Sequence, residues 1–272
     1  MSLNNKISNI KIGIAISTYS NIKTTSDRYL IIDQSLNSLN EYLNKTKLNI
    51  YCIIIVDGNI PTNHWNILNK YNFNIYVREK NGGVSCTKNT SIKKLLDNKV
   101  DIGVLLDDDV KYYPECFEKY IESMLKSKLH HMLYCQMNEK IRPKKLWKKH
   151  DYYEVDINNN KVMRHRGRGV GCLLTFTSEL IDKIGYFKVM DGKYGYEHIN
   201  FTLRAIESGL IPFPTDIIES EKYIDHIGFE HIGNGKFKKI HSLCEEERMC
   251  ENKKNKNIWN CNLEEYVPLI EN

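Results

Sequence analysis

Residues 9–109 alternate short apolar runs with helix-periodic segments, and that alternation narrows the fold more than any other feature of the chain. NIKIGIAIST (9–18), NIYCIIIVDG (49–58), NIYVRE (74–79) and DIGVLLDDD (101–109) read as strands, being short, apolar and rich in branched side chains. SDRYLIIDQSLNSLNEYLNK (26–45), HWNILNKYN (64–72) and CTKNTSIKKLLDN (86–98) read as the helices between them. In the first helix Leu30, Ile31, Leu36, Leu39 and Leu43 recur at helical spacing, and Ser26 is the expected N-cap. Such a pattern predicts βαβ units: an α/β chain with a Rossmann-like, mainly parallel sheet and flanking helices. No GxGxxG follows the first strand and no GxxxxGKS/T occurs, which disfavours dinucleotide and P-loop chemistry.

The fourth strand ends in VLLDDDV (104–110), where three carboxylates stand together although they repel. A divalent cation explains them, because hard ions such as Mg²⁺ and Mn²⁺ take one or two protein carboxylates and complete their shell with phosphates and water. The carboxyl end of a strand in an open α/β sheet is also where ligands tend to bind. Asp107 and Asp109 fall on one face of an extended chain. The alternative is an acidic turn capping the helix that follows.

With 272 residues, 41% hydrophobic and 27% charged, the chain can bury a sizeable core. A net charge of +5 fits an anionic substrate but is no nucleic-acid signature. No apolar run suits a signal peptide or approaches the ~20 residues of a membrane span, so a cytoplasmic location is expected. The eight cysteines lack CxxC spacing and read as reduced thiols; His241, Cys244, Cys250 and Cys261 match no common zinc spacing.

The second half is less regular. Short strands and a basic stretch are expected over 133–169, a strand and short helix over 169–187, and an amphipathic helix over 196–210 with Phe201, Leu203 and Ile206 inward and Gly209 near its end. The segment after residue 244 reads as a charged tail with a terminal piece docked on the body. A single domain over 1–243 is therefore expected, with a nucleotide-binding half at 9–115, an irregular acceptor and donor-sugar half at 116–243, and a tail at 244–272. MRHRGR (163–168) has no interleaved aromatics or RNA-binding motif, and reads as a basic loop closing on a diphosphate or as a solvated loop.

Four segments in order resemble the GT-A-fold glycosyltransferases, especially the family-2 type. IGIAISTYSN resembles the opening strand, ending at Thr18, that receives the nucleoside. IIIVDG resembles the turn whose Asp, here Asp57, contacts the base, with Gly58 replacing a second Asp. REKNGGVSCTKNTSI matches a third segment at Asn81, Gly82, Gly83 and Asn89, with Lys88 where Arg is usual and Ser91 where Gly is usual. VLLDDDV matches the D-x-D motif in Asp107 and Asp109, with Asp108 between them. The resemblance implies a UDP-sugar donor, Mn²⁺ or Mg²⁺ between its phosphates, and transfer with inversion to a hydroxyl of a glycan, protein or small molecule. Asp109 would bind the ion, Asp107 would reach the ribose or the ion through water, and Lys88 could offset remaining charge.

GRGVGCLLTF resembles the strand flooring the donor-sugar pocket, with Gly169 and Gly171 leaving room for the ring. GKYGYEHINFTLRAIESG (192–209) is similar to a galactosyltransferase segment, in which Glu197 and Arg204 match and His198 stands where the catalytic Asp usually is. Glu197 keeps the carboxylate such enzymes use, and is slightly favoured as the base over the imidazole of His198. His226 or His231 is expected to complete the metal shell. Two rivals remain at this point: a non-catalytic sugar-nucleotide-binding module, encouraged by His198, and a nucleotidyltransferase, which would want a Gly-rich basic loop where STYSNIKTT stands.

Overall fold

The structure, a computed structural model, describes residue 7 and residues 9–134, 152–165, 171–189, 197–228 and 269–270. In chain order its elements are β1 (Ile12–Thr18), α1 (Ser26–Leu43), β2 (Ile50–Val56), α2 (Thr62–Leu68), β3 (Asn74–Arg78), α3 (Val84–Asp97), β4 (Ile102–Asp107), β5 (Val110–Tyr112), α4 (Cys116–Ser127), β6 (Tyr152–Ile157), β7 (Asn160–His165), β8 (Leu173–Thr177), α5 (Ser178–Ile184), α6 (Glu197–Glu207), β9 (Thr215–Asp216), β10 (Ile224–His226) and β11 (Leu269–Ile270).

Among the described residues the central sheet runs β11-β3-β2-β1-β4-β8. Its four inner strands are parallel, while β8 and β11 run antiparallel to β4 and β3. In β1, the consecutive residues Ile14, Ala15 and Ile16 have no exposed surface, as expected of a strand covered by helices on both faces. Register aligns Thr18 with Val56 and Ser17 with Asp107. The carboxyl ends of β1, β2 and β4 therefore share one edge.

The expected α/β alternation is present, with local corrections. Thr25 caps α1 in place of Ser26, its side chain accepting from the Arg28 amide. Leu30 faces solvent and Ile32 the core, because the helix buries Ile32, Leu36, Leu39 and Tyr42. The fourth strand stops at Asp107, and the chain turns through Asp108 and Asp109 into β5, which pairs with β10. α6 departs most from expectation: Leu203 is 38% exposed, and the buried side holds Glu197, Asn200, Phe201, Arg204 and Ala205, an i, i+3, i+4, i+7, i+8 stripe that is mostly polar. In the β6–β7 hairpin, Asn158 and Asn159 both take positive φ (54° and 62°), as a tight two-residue turn requires.

Gly103 on β4 lies opposite Phe176 on β8, and a Cβ there would come within 2.1 Å of the Phe176 ring. Gly103→Ala should cost about 1–3 kcal/mol of stability, the usual cost of overpacking a filled core. Urea denaturation with an unchanged m-value would confirm it.

Candidate active site

The centre of the site is a buried lysine. Lys88, on the first turns of α3, is 1% exposed. Its ammonium donates to the Gly171 carbonyl at 3.1 Å and lies 3.4 Å from Asp107 Oδ1 and 4.0 Å from Glu197 Oε1. Burial alone would lower the Lys88 pKa, but Asp107 and Glu197 outweigh it and raise it. Burial pushes Asp107 up against the pull of Lys88. Glu197 is raised by burial but lowered more by His198 and Lys88, and is held at about 2.

His198 Nδ1 lies 3.5 Å from Glu197 Oε1, and the His198 side chain is 17% exposed against 8% for Glu197. Gly171 is pressed against that imidazole: a Cβ would sit 2.7 Å from Nδ1 and 2.8 Å from Cγ. The anchoring of α6 explains how Glu197 and His198 are held. Arg204 donates to the Ile184 and Tyr186 carbonyls and to Asn200 Oδ1. Phe201 stacks on Phe187 with centroids 4.3 Å apart, and Asn89 holds the Phe187 backbone through both its amide nitrogen (2.8 Å) and its oxygen (2.7 Å). Arg204 thus acts as a strut between α6 and the turn after α5.

At the turn out of β4, Asp109 Oδ1 is buried with no hydrogen-bond partner and faces His226 Nε2 at 3.2 Å. The β5–β10 pairing brings the two together, and the Ile227 amide closes the corner on the Asp109 carbonyl at 2.9 Å. Burial would raise Asp109, but His226 and Arg28 lower it; burial would lower His226, but Asp109 and Asp107 raise it. Two ligands on adjacent corners of an octahedral ion at about 2.1 Å lie about 3.0 Å apart, so this carboxylate–imidazole pair fits a cation that draws its remaining ligands from phosphate and water. Among the described residues no group of three or more His, Cys, Asp and Glu side chains is arranged around a metal position. His231, Gly169 and residues 166–168 of the basic stretch lie outside the described residues.

The remaining expected residues are held by the protein itself. Asp57, 4% exposed, accepts from the Gly82 amide (3.1 Å) and the Gly83 amide (2.8 Å) and pairs with Arg78 Nε at 2.9 Å. Gly58, at φ 87°, lets this turn approach the loop, since a Cβ there would sit 2.6 Å from the Asn81 nitrogen. Asp108 turns inward onto Thr18 and Arg28. The sequence reading passed over Arg28, Ser20, His64 and Arg78. Only Arg78 carried a signal, a charged residue closing an apolar strand; the others sit in loops or on exposed-looking helix turns.

A mainly parallel sheet whose carboxyl edge carries an acidic turn, a buried lysine and the Glu197–His198 pair from α6 is the arrangement that the sequence resemblance to the GT-A-fold glycosyltransferases leads one to expect. The description "Glycosyl transferase family 2" matches residues 16–191, more than half of the sequence, and the chain belongs to that family. It is 40% identical over 225 residues to "Uncharacterized glycosyltransferase R363" of Acanthamoeba polyphaga mimivirus, covering 81% of this chain and 82% of that protein. Among solved structures it resembles S. aureus TarS (TM-score 0.57, 16% identity), over 91% of this chain and 44% of that chain. It also resembles the mannosyltransferase PcManGT of Pyrobaculum calidifontis, solved with GDP-Man and Mn²⁺ (TM-score 0.50, 13% identity, 72% of this chain and 52% of that chain). Family membership decides against the nucleotidyltransferase and the non-catalytic module: the protein is a glycosyltransferase.

Lys88→Met should cost about 3–5 kcal/mol at neutral pH, because it leaves the buried Glu197 carboxylate, and beside it the partly exposed Asp107, without their cation. Glu197 has a folded-state pKa depressed from 4.5 to about 2, so its ionised form stabilises the protein above its unfolded pKa, and that contribution is lost as pH falls towards about 2. The Lys88→Met penalty should accordingly shrink on acidification, which urea denaturation from neutral pH down into that window would show.

Proposed function

We propose that the protein transfers a sugar from a UDP-sugar to a hydroxyl of a glycan, protein or small-molecule acceptor, with inversion at the anomeric carbon. The observation that carries this reading is the convergence of Lys88, Asp107, Glu197 and His198 beside the Asp109–His226 pair at the carboxyl edge of the sheet. S. aureus TarS, of the same fold, has been solved in complex with UDP-GlcNAc and with UDP, which supports a uridine donor. Asp57, which the resemblance puts at the base, holds the loop at Asn81, Gly82 and Gly83 through the Gly82 and Gly83 amides, and this loop would line the base end of the donor. Asp109 and His226 would hold Mn²⁺ or Mg²⁺, which as a Lewis acid stabilises charge on the departing diphosphate. Asp107, fixed by Lys88, would reach the ribose or, through water, the ion.

For the proton of the acceptor hydroxyl, the geometry favours His198 over Glu197. Glu197 is the more enclosed of the two and its charge is already engaged by His198 and Lys88, which leaves the more exposed imidazole to meet the acceptor. Glu197 then orients the imidazole through Nδ1. The catalytic domain is read as spanning 1–243, and Leu269–Ile270 of the segment beyond it adds the strand β11 beside β3. Cys52, Cys86, Cys116 and Cys172 are free thiols, and among the described residues no helix is long and apolar enough to cross a membrane; both fit work in the cytoplasm.

A thermal-shift panel of UDP-, GDP- and CMP-sugars with and without Mn²⁺ tests the donor: the largest shift should come from a UDP-sugar with Mn²⁺, and a larger one from GDP- or CMP-sugars would overturn the uridine assignment. Asp109→Asn should weaken Mn²⁺-dependent UDP binding at least ~10-fold, the scale seen even for residues behind the metal ligands. His198→Asn should lower UDP release in the presence of acceptor by ~10²–10⁴-fold with donor binding kept. Glu197→Gln should be milder; full activity in His198→Asn beside an inactive Glu197→Gln would reverse the roles.

A further inference from the structure

His64 lies on α2, with no exposed surface and both ring nitrogens engaged. Nε2 is 3.0 Å from Thr18 Oγ1, and Nδ1 is 2.6 Å from Ser20 Oγ. Thr18 Oγ1 gives its one proton to Asp108 Oδ2, and Arg28 donates to Asp108 Oδ1. These bonds fix every proton. A hydroxyl has one donor, so Thr18, having donated to Asp108, can only accept from His64. The Nε2 atom therefore carries the hydrogen. Burial lowers the His64 pKa and keeps the ring neutral, so Nδ1 is bare and accepts from Ser20. The result is a one-way chain, Ser20 to His64 to Thr18 to Asp108, closed by Arg28 from α1. Tyr29 packs edge-on against the imidazole, with centroids 6.2 Å apart.

We propose that His64 is a positioning residue which, through Thr18, clamps Asp108 and so presents Asp107 and Asp109 on either side of it to the cleft. The clamp explains why the middle Asp of the triplet turns away from the cleft: it is the anchor that lets its neighbours face outward despite their repulsion. What those neighbours bind rests on the donor-site reading above; the clamp itself does not.

Three measurements test it. In ¹⁵N-labelled protein, long-range ¹H–¹⁵N correlation should show His64 as the neutral Nε2–H tautomer; an Nδ1–H tautomer or an imidazolium at neutral pH would overturn the chain. His64→Leu and Thr18→Val should speed hydrogen exchange at the amides of 107–110 at least ~10-fold relative to those of Ile53–Val56 in the same sample. His64→Gln, whose amide can still donate to Thr18, and Thr18→Ser should not. Equal behaviour of the broken and conservative variants would reduce His64 to a core filler and sink the proposal. With UDP and Mn²⁺ as probe, His64→Leu should bind ~10-fold more weakly and His64→Gln within ~2-fold. Wild-type protein that fails to bind the probe would refute the donor reading, while the exchange comparison would still decide the clamp.

Discussion

The site depends on one buried ammonium. Carboxylates brought together in a desolvated cleft repel, and removing a charge from water costs several kcal/mol unless a partner compensates. Lys88 supplies that compensation for Asp107 and Glu197 together, and its contact with the Gly171 carbonyl ties the same charge to the start of β8. Because the three groups come from α3, β4 and α6, the cation fixes how the later half of the chain sits on the parallel sheet. Lysine here stands where the family resemblance expects arginine. A compact ammonium suits a point between two carboxylates and a carbonyl, whereas a planar guanidinium favours paired, fork-like contacts.

Around that cation the sheet edge is organised as a set of turns, each held by its own anchor. Asp57 gathers the amides of Gly82 and Gly83 at the end of β2; Asp108 is gripped by Thr18 and Arg28 at the end of β4; Asp109 meets His226 across the β5–β10 pair. Asp57 and Asp108 are held by backbone amides, Thr18 and Arg28, whereas Asp107 and Asp109 pair with Lys88 and His226 across the cleft. Like charges in sequence are thereby given unlike duties, and the triplet is tolerated because its middle member is neutralised from behind.

Much of the first half was legible from the chain. Buried parallel strands must be continuous apolar runs and their crossover helices amphipathic, and both patterns survive in a single sequence. The likeness of four ordered segments carried the family. The helix α6 and its inward Phe201 stand as expected, but Leu203 faces out because the buried stripe holds Glu197, Asn200 and Arg204, and a search for apolar periodicity passes over a face that is buried for polar reasons. The strand through the acidic triplet was overextended because the turn at Asp108 is set by Thr18 and Arg28, distant in sequence.

The sequence by itself determined the alternation, the parallel sheet and the acidic strand end, since each is a local pattern of residue types, while His226 and His231 were candidates only through the family resemblance. Only the tertiary structure decided that Lys88 is buried between two carboxylates, that Asp108 faces inward, and that His64 stands behind it. Those facts rest on pairs such as Thr18 with Asp108, 90 residues apart, and Lys88 with Gly171, 83 apart. A side chain's charge and hydrogen-bonding partners are properties of its surroundings, and in this protein the surroundings of the site residues are assembled from across the chain.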